Sequence, residues 1–167
     1  MKKYFIYILL YFTALPLFAQ KEAQTSALIK VKLLKGLNIT KIKGNLDFGE
    51  VILNGDGQKI IKQPDEGIEF VVSGHPNKEA IITYKPTLLT QSSNHGSNPL
   101  IFLPAVLQTG VNINFVSPSV VKSGSTILLN NQNGIGKTFI WVGGDIDIKP
   151  QSTEGNYEGI FTLTVAY

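Results

Sequence analysis

One stretch of this chain resembles part of a phosphate-binding loop. It is Gly134–Thr138, with the sequence GIGKT, and the full form of such a loop is G-x-x-x-x-G-K-[ST]. The first glycine of that form would stand five residues before Gly136, where this chain has Asn131. The residues that follow predict a strand, whereas a phosphate loop leads into a helix whose N–H groups hold the anion. We therefore interpret the stretch as a turn.

The two histidines and one pair of aspartates are candidate metal ligands or acid–base groups. His75 and His95 each lie among turn residues, and no third metal ligand is recognisable from the spacing. Asp145 and Asp147 alternate with isoleucines, so both carboxylates lie on one face of a predicted strand. Neither a calcium loop nor a glycosidase pair is supported by the neighbouring residues. We interpret the histidines as surface loop residues and the aspartates as a solvated strand face.

Nucleophilic catalysis finds little support in the composition. The chain has no cysteine, which removes disulfides, thiolate metal sites and cysteine nucleophiles. Its serines form no G-x-S-x-G elbow, and two histidines supply few general bases for a triad. We predict that the protein is not an enzyme, uses no cofactor, and has no catalytic, cofactor-binding or metal-binding residue. An enzyme of unfamiliar type is the third alternative, after two binding functions.

The elements that would position any site are strands. From Ser26 onward, apolar residues recur with a period of two and are broken by turn residues about every eight to twelve positions, which is typical of an all-β sandwich or barrel. No stretch has a helical pattern. The predicted strands span residues 27–34, 37–42, 46–53, 58–62, 68–73, 80–84, 100–107, 111–115, 125–130, 138–148 and 157–165.

Glycine-containing turns separate these strands. Asn54–Gly57 and Asn133–Gly136 are hairpin signals, because the tight turns that match strand twist need positive φ angles. Gly143 and Gly144, inside a predicted strand, indicate a bulge or bend. Residues 91–99 form a polar stretch, which we predict to be a loop and one candidate for binding.

The last predicted strand has an apolar row on one face. Phe161, Leu163, Val165 and Tyr167 alternate with smaller or polar residues, so we expect the row to be buried against a second sheet. Seven aromatic residues within predicted strands are expected to pack in the core, although an exposed row of them would bind sugar rings. These residues are Phe48, Phe70, Phe102, Phe115, Phe139, Trp141 and Phe161.

The start of the chain predicts export. Lys2 and Lys3 precede an apolar stretch, residues 4–17, and Ala19 is a small residue at a plausible cleavage site. We predict a signal peptide at residues 1–19 and a single β-sandwich domain at residues 20–167. A membrane anchor is the alternative, but the apolar run of about 14 residues is shorter than the roughly 20 that span a bilayer. We expect no stable membrane span after signal removal.

Charge argues against a nucleic-acid partner. All 15 basic residues are lysines, and two of them lie in the predicted signal, which leaves the remaining chain almost neutral. A nucleic-acid-binding domain has a basic patch, and phosphate recognition favours the forked arginine side chain. We therefore interpret the lysines as a solvated surface.

Five short motifs, in order along the chain, resemble a known family. They are Leu46–Gly49, Phe70–Gly74, Pro86–Thr87, Val142–Gly144 and the pattern of glycines and aromatics from Gly155 to Tyr167. Together they resemble the bacterial exported family called domain of unknown function 4402. The resemblance implies an immunoglobulin-like antiparallel β-sandwich with no established activity. More distantly, the last strand is similar to those of chaperone-usher pilins and spore-coat U-type domains.

One residue departs from the pattern of that family. Glu69 stands where members usually have a small residue, just before the motif at Phe70. This departure bears on local packing.

These observations predict a function without chemistry. We expect an exported structural or adhesive protein in the periplasm, on the cell surface or outside the cell, such as a fimbrial or pilin-like subunit. The alternative is a small carbohydrate-binding module. The partners would then be other surface or fibre subunits, bound through edge strands, or a glycan.

The stretch 20–34 is a candidate for such strand pairing. Ala27, Ile29, Val31 and Leu33 form an apolar row flanked by lysines. It can pair as an edge strand with its own domain or with a neighbour. We favour pairing within the same chain, because the other predicted strands suffice for a complete sandwich.

Overall fold

The computed structural model describes residue 28 and residues 30–91 and 98–167. The chain divides between Lys32 and Leu33 into two units, and every described strand lies in the second. The described residues of the first unit are exposed and outside any strand. The predicted boundary between residues 19 and 20 lies outside the described residues.

Antiparallel strands form the second unit, as the sequence predicts. One short 3-10 helix, Pro64–Glu66, accompanies them. The strands are β1 Asn38–Lys43, β2 Gln58–Lys62, β3 Ile68–Gly74, β4 Lys78–Tyr84, β5 Thr87–Gln91, β6 Leu100–Gln108, β7 Ser119–Val120, β8 Thr126–Gln132, β9 Ile135–Ile148, β10 Tyr157–Glu158 and β11 Leu163–Ala166. The all-β, antiparallel, sandwich-like fold is therefore confirmed.

The first layer is organised around β9, which has 14 residues. On one side, β9 pairs with β3 near its start and with β2 near its end. On the other side it pairs with β6, which in turn pairs with β5 and β7. β1 extends the sheet beyond β3, and β10 extends it beyond β5.

The second layer is smaller and contains β8, β4 and β11 in that order. β8 pairs with β4 through its first four residues and then with β9 through its last three. One strand therefore belongs to both layers and closes them at this end.

Where both layers consist of strands, their apolar side chains form what we call the packed core. The strands of both layers contribute to it, and none of its buried members is more than 2% exposed. Its buried members are Val72, Ala80, Ile82, Val106, Val121, Ile127, Leu129, Ile140 and Val142. Close packing of this kind excludes water.

Further along β9 the second layer has no long strand. Here Leu100, Phe102, Ile146 and Ile148 form a separate cluster, which we call the groove core. Residues 46–53 and 152–161 pack against it, and the only strand within them is β10. The apolar face of the sheet is thus covered by irregular chain at this end.

Three predicted strands are wrong. Residues 46–53, residues 111–115 and the described part of residues 27–34 are not strands. In the first of these, the Asp47 side chain accepts a hydrogen bond of 2.8 Å from the Gly49 N–H, and Gly49 has a φ of +69°. Both features turn the chain out of an extended conformation. Conversely, β5 and β7 were not predicted.

The predicted strand at residues 157–165 is two strands, because β10 and β11 are separated by residues 159–162. A Cβ at Gly159 would lie 2.6 Å from the Leu88 carbonyl oxygen, so the chain passes this point in close contact with β5. Phe161, Leu163 and Val165 face the core but are only half-buried, and Tyr167 is exposed. The expected full burial of this row is wrong, because β11 is the last strand of its layer.

Of the two predicted hairpins and the predicted bulge or bend at glycine residues, one hairpin is confirmed. Asn133 and Gly134 have φ angles of +52° and +78° and join β8 to β9, so the hairpin is confirmed. The chain bends at Gly55 and Asp56 before β2, but no strand precedes this bend, so the hairpin predicted at Asn54–Gly57 is wrong. Gly143 and Gly144 form no bulge, because the pairing with β6 runs through them without a shift. A Cβ at Gly143 would lie 2.3 Å from the Lys62 carbonyl oxygen, so this glycine admits the chain where β9 changes partners.

Candidate functional site

The residues first considered for chemistry do not come together. The stretch Gly134–Thr138 is the hairpin turn and the start of β9. The His75 N–H donates a 2.6 Å hydrogen bond to the Tyr167 hydroxyl. Asp145 forms a 3.1 Å ion pair with Lys59, and Asp147 is exposed on the same face of β9. His95 and most of the predicted binding loop at residues 91–99 lie outside the described residues.

The described residues contain neither a metal-binding cluster nor a helix that could span a membrane. They hold no cluster of three or more histidine or acidic side chains with the spacing for a metal ion. No helix among residues 28, 30–91 and 98–167 is long and apolar enough to cross a membrane.

The aromatic residues pack inside the protein rather than in an exposed row. Phe102, Phe139 and Trp141 are buried, and the other four of the seven are half-buried. Trp141 contacts the Phe115 ring at a centroid distance of 5.2 Å and donates a 3.0 Å hydrogen bond to the Thr109 hydroxyl. This side of the sheet therefore has a small apolar cluster of its own.

A groove of about 950 Å³ opens above the groove core, and it is the candidate site. The inner face of the first layer forms its floor. Adjacent strands supply the floor residues, which are Ile60 from β2, Ile146 and Ile148 from β9, Leu100 and Phe102 from β6, and Leu89 from β5. The groove is a part of the sandwich where the second layer is incomplete.

One side of the groove is residues 46–53, which we call the 46–53 wall. Leu46, Phe48 and Val51 are half-buried and pack against the groove core. The Phe48 ring meets Phe102 edge-on at 6.0 Å. No backbone–backbone hydrogen bond joins this wall to any part of the chain that the structure describes. The wall is therefore held by side chains: its own apolar residues contact the floor, the Gly49 N–H donates to the Asp47 carboxylate, and the Gln58 side chain donates to the Ile52 carbonyl oxygen.

The other side is residues 152–161, which we call the 152–161 wall. It is tied to β5 by the short strand β10 and by a hydrogen bond from the Gln91 side chain to the Glu154 carbonyl oxygen. The Tyr157 hydroxyl donates a 3.0 Å hydrogen bond to the Thr153 carbonyl oxygen. Phe161 stands at its end and meets the Phe102 ring edge-on at 5.9 Å.

All the charged residues that line the groove are acidic. Asp47 and Glu50 belong to the 46–53 wall, and Glu154 and Glu158 belong to the 152–161 wall. Carboxylates on both sides of an apolar floor create a field that attracts positive charge. The groove is therefore suited to an extended ligand with apolar groups on one face and basic groups beside them.

Sequence reasoning missed this site. The groove combines residues from two walls and four strands, and its existence depends on which part of the second layer lacks strands. The alternation of Leu46 and Phe48 correctly indicated side chains that face the interior. It did not indicate that their backbone would have no partner.

A buried carboxyl lies on the opposite face of the first layer. Glu69 is 5% exposed, and its Oε1 atom has no hydrogen-bond partner among the described residues. Burial raises the pKa of this carboxyl above its ordinary value of 4.5, and the nearby charge of Lys43 partly opposes the rise. Its neighbour across the sheet is Trp141, so a residue that the family resemblance marked as unusual is enclosed between strands.

The comparisons with known proteins do not identify the chain. No protein-family model matches it. No curated protein matches its sequence significantly.

Proposed function

We propose that the chain is an exported, non-enzymatic protein of the bacterial periplasm or cell surface, with a structural or adhesive role like that of a fimbrial subunit. The signal-like residues 1–19 and the resemblance to domain of unknown function 4402 support export. The groove carries the proposal of a binding role. It is a preformed depression with an apolar floor and acidic residues on both walls.

The physical argument is the cost of leaving such a surface uncovered. Apolar area in contact with water costs roughly 25 cal/mol per Å² compared with buried area. The exposed part of the floor therefore favours a partner that covers it. An extended protein segment could cover it, since its alternating side chains place an apolar row on one face.

A carbohydrate is the second candidate ligand, and Tyr157 favours it. Its half-buried ring lines the groove next to polar groups of Thr153 and Asn156. Sugar-binding sites combine an aromatic face with hydrogen-bonding groups of this kind. The seven aromatic residues first considered for sugar binding are largely enclosed, so this candidate depends on the groove.

Measuring whether the protein is exported tests the first part of the proposal. We expect the cell fraction outside the cytoplasm to contain a protein that begins near Gln20, as measured by N-terminal sequencing. Recovery of the protein from the cytoplasm with residues 1–19 attached would overturn the proposal.

Binding is tested separately on the exported protein. A glycan panel, measured with the parent and with Tyr157→Ala, distinguishes the two candidate ligands. Glycan binding that Tyr157→Ala removes would favour the carbohydrate module, whereas self-association without glycan binding favours the structural role.

A further inference from the structure

We propose that the groove binds an organic ammonium ion, which is a small molecule with an apolar body and a positively charged nitrogen. The inference rests on the binding role proposed for the groove and names the class of its ligand. Three observations carry it: aromatic rings gathered in the groove, carboxylates on both walls, and a described lining without a basic residue.

Four aromatic side chains line the groove, and three of them form a continuous cluster. The Phe102 ring of the floor meets the Phe48 ring of one wall edge-on at 6.0 Å and the Phe161 ring of the other wall edge-on at 5.9 Å. The fourth ring is that of Tyr157. The face of an aromatic ring attracts a cation that lies within about 6 Å of its centre, and sets of such rings recognise quaternary ammonium groups. The groove therefore contains the kind of side chains that hold a charged nitrogen.

The wall carboxylates supply full negative charges beside these rings. Asp47 and Glu50 lie on one wall, Glu154 and Glu158 lie on the other, and all four are exposed. None of the four forms an ion pair with a lysine in the part of the chain that the structure describes. Their charges are therefore not neutralised there, and a cation in the groove would be attracted from both sides.

The same lining disfavours an anionic ligand. The chain has 15 basic residues, all of them lysines, yet none of the described lysines lines the groove. A carboxylate or phosphate in the groove would meet only charges of its own sign. Since like charges brought together in a binding site are costly, the lining selects a cation over an anion.

The size of the groove fits a small molecule. Sites for small molecules enclose roughly 300–1000 Å³ and combine an apolar lining with a few polar groups that fix the orientation of the ligand. This groove has about 950 Å³. Its floor of isoleucine, leucine and phenylalanine side chains would cover the apolar body. The aromatic rings and the wall carboxylates would hold the nitrogen.

Three probes that share one apolar body test the proposal. They are phenylbutylamine, phenylbutanol and phenylpentanoate, which carry a positive, a neutral and a negative group on the same phenylbutyl chain. Isothermal titration calorimetry of the exported protein measures their affinities at neutral pH and low salt. We expect the amine to bind at least about tenfold more tightly than the alcohol, because only the amine gains from the rings and the carboxylates. The carboxylate should bind most weakly.

A charge-removal variant locates the binding in the groove. Glu50→Gln with Glu154→Gln removes one charge from each wall, so it should weaken amine binding at least about tenfold and leave alcohol binding unchanged. Glu66→Gln with Glu79→Gln is the matched control, because both glutamates are exposed, lie outside the groove lining and change the net charge equally. This control should bind the amine like the parent.

A ring-removal variant tests the aromatic contribution. Phe48→Leu keeps an apolar side chain on the wall but removes its ring, so it should weaken amine binding about threefold and change alcohol binding little. Thermal unfolding of each variant confirms that it is folded before its affinity is compared with that of the parent.

Several results would overturn the inference. They are the absence of amine binding, equal affinity of the parent for the amine and the alcohol, and equal weakening in the groove variant and its control. Tetralysine that binds as tightly as phenylbutylamine would also overturn it, because charge alone would then suffice without the aromatic floor. Each of these results would leave the proposed export standing, since a protein that begins near Gln20 outside the cytoplasm is measured independently of any ligand.

Discussion

The packed core and the groove core share the strand β9 but differ in what covers them. The packed core lies between two layers of strands, and Ile140 within it is fully buried. At the groove, residues 46–53 and 152–161 take the place of the second layer's strands, and the relative exposure of Ile146 is 6%. Paired strands bring side chains close enough to exclude water, whereas irregular walls leave a gap between them. The difference shows that the fold is closely packed at one end and leaves an open groove at the other.

Truncating one isoleucine in each core gives the largest expected effect. Ile140→Ala should lower the free energy of unfolding by about 2–5 kcal/mol, because it removes buried methylene groups and leaves an enclosed cavity. Ile146→Ala should cost at or below the lower end of that range, about 2 kcal/mol, because the space it leaves joins the groove and fills with water. Urea unfolding of both variants, with similar m-values, measures the difference. Equal losses would show that the groove core is as tightly enclosed as the packed core.

Two tyrosine hydroxyls, one in each region, give a smaller effect. The Tyr167 hydroxyl accepts from the His75 N–H and donates to the Lys35 carbonyl oxygen, so it joins parts of the chain that are far apart in sequence. Among the described residues, the Tyr157 hydroxyl bonds only Thr153, four residues away in its own wall. Tyr167→Phe should lower the free energy of unfolding by about 0.5–1.5 kcal/mol for each hydrogen bond lost.

Tyr157→Phe is the matched control for that loss. It removes the same atom from the wall of the groove, and we expect a smaller change in the denaturation midpoint. A larger loss of unfolding free energy for Tyr157→Phe would mean that the hydrogen bonds of Tyr157 in the 152–161 wall contribute more to stability than the two hydrogen bonds of the Tyr167 hydroxyl.

The sequence predicted the fold best where alternating apolar residues and turn residues mark a segment that also has a neighbouring strand to pair with. β2 has the predicted bounds, and the turn at Asn133 and Gly134 joins the expected strands. Residues 46–53 have the same alternation but are not a strand. Alternating apolar residues report which side chains face the interior, but a strand also needs a neighbouring backbone. The turn formed by Asp47 and Gly49 removes that possibility.

The groove was beyond sequence reasoning for a related reason. Its floor comes from four strands, and its walls come from stretches about a hundred residues apart, so no local pattern records that they meet. The acidic rim is equally hidden, because Glu50 and Glu154 look like ordinary surface residues in the sequence. Only Glu69 gave a local signal, as an acidic residue where the resembling family has a small one.

Glu69 therefore provides the last test. It measures what a buried charge costs on the outer face of the first layer, beside the packed core. Burial raises the pKa of its carboxyl in the folded protein above 4.5, and Lys43 opposes part of that rise. The folded state thus binds the proton more tightly than the unfolded state, and stability falls as pH rises through the raised pKa. Glu69→Gln keeps the shape of the side chain but cannot ionise.

The variant should match the parent below pH 4.5 and become more stable than the parent as pH rises from 4.5 through the folded pKa, by the smallest of the three effects. Thermal unfolding of both proteins across this pH range measures the difference. Lys43→Met, which removes the favourable charge, should have the opposite effect and lose stability at neutral pH. If the melting temperatures of Glu69→Gln and the parent differ by a constant amount at all pH values, the carboxyl is not held in an environment that disfavours its charge. Such a result would also mean that water reaches Glu69, on the outer face of the first layer, as freely as it reaches the groove.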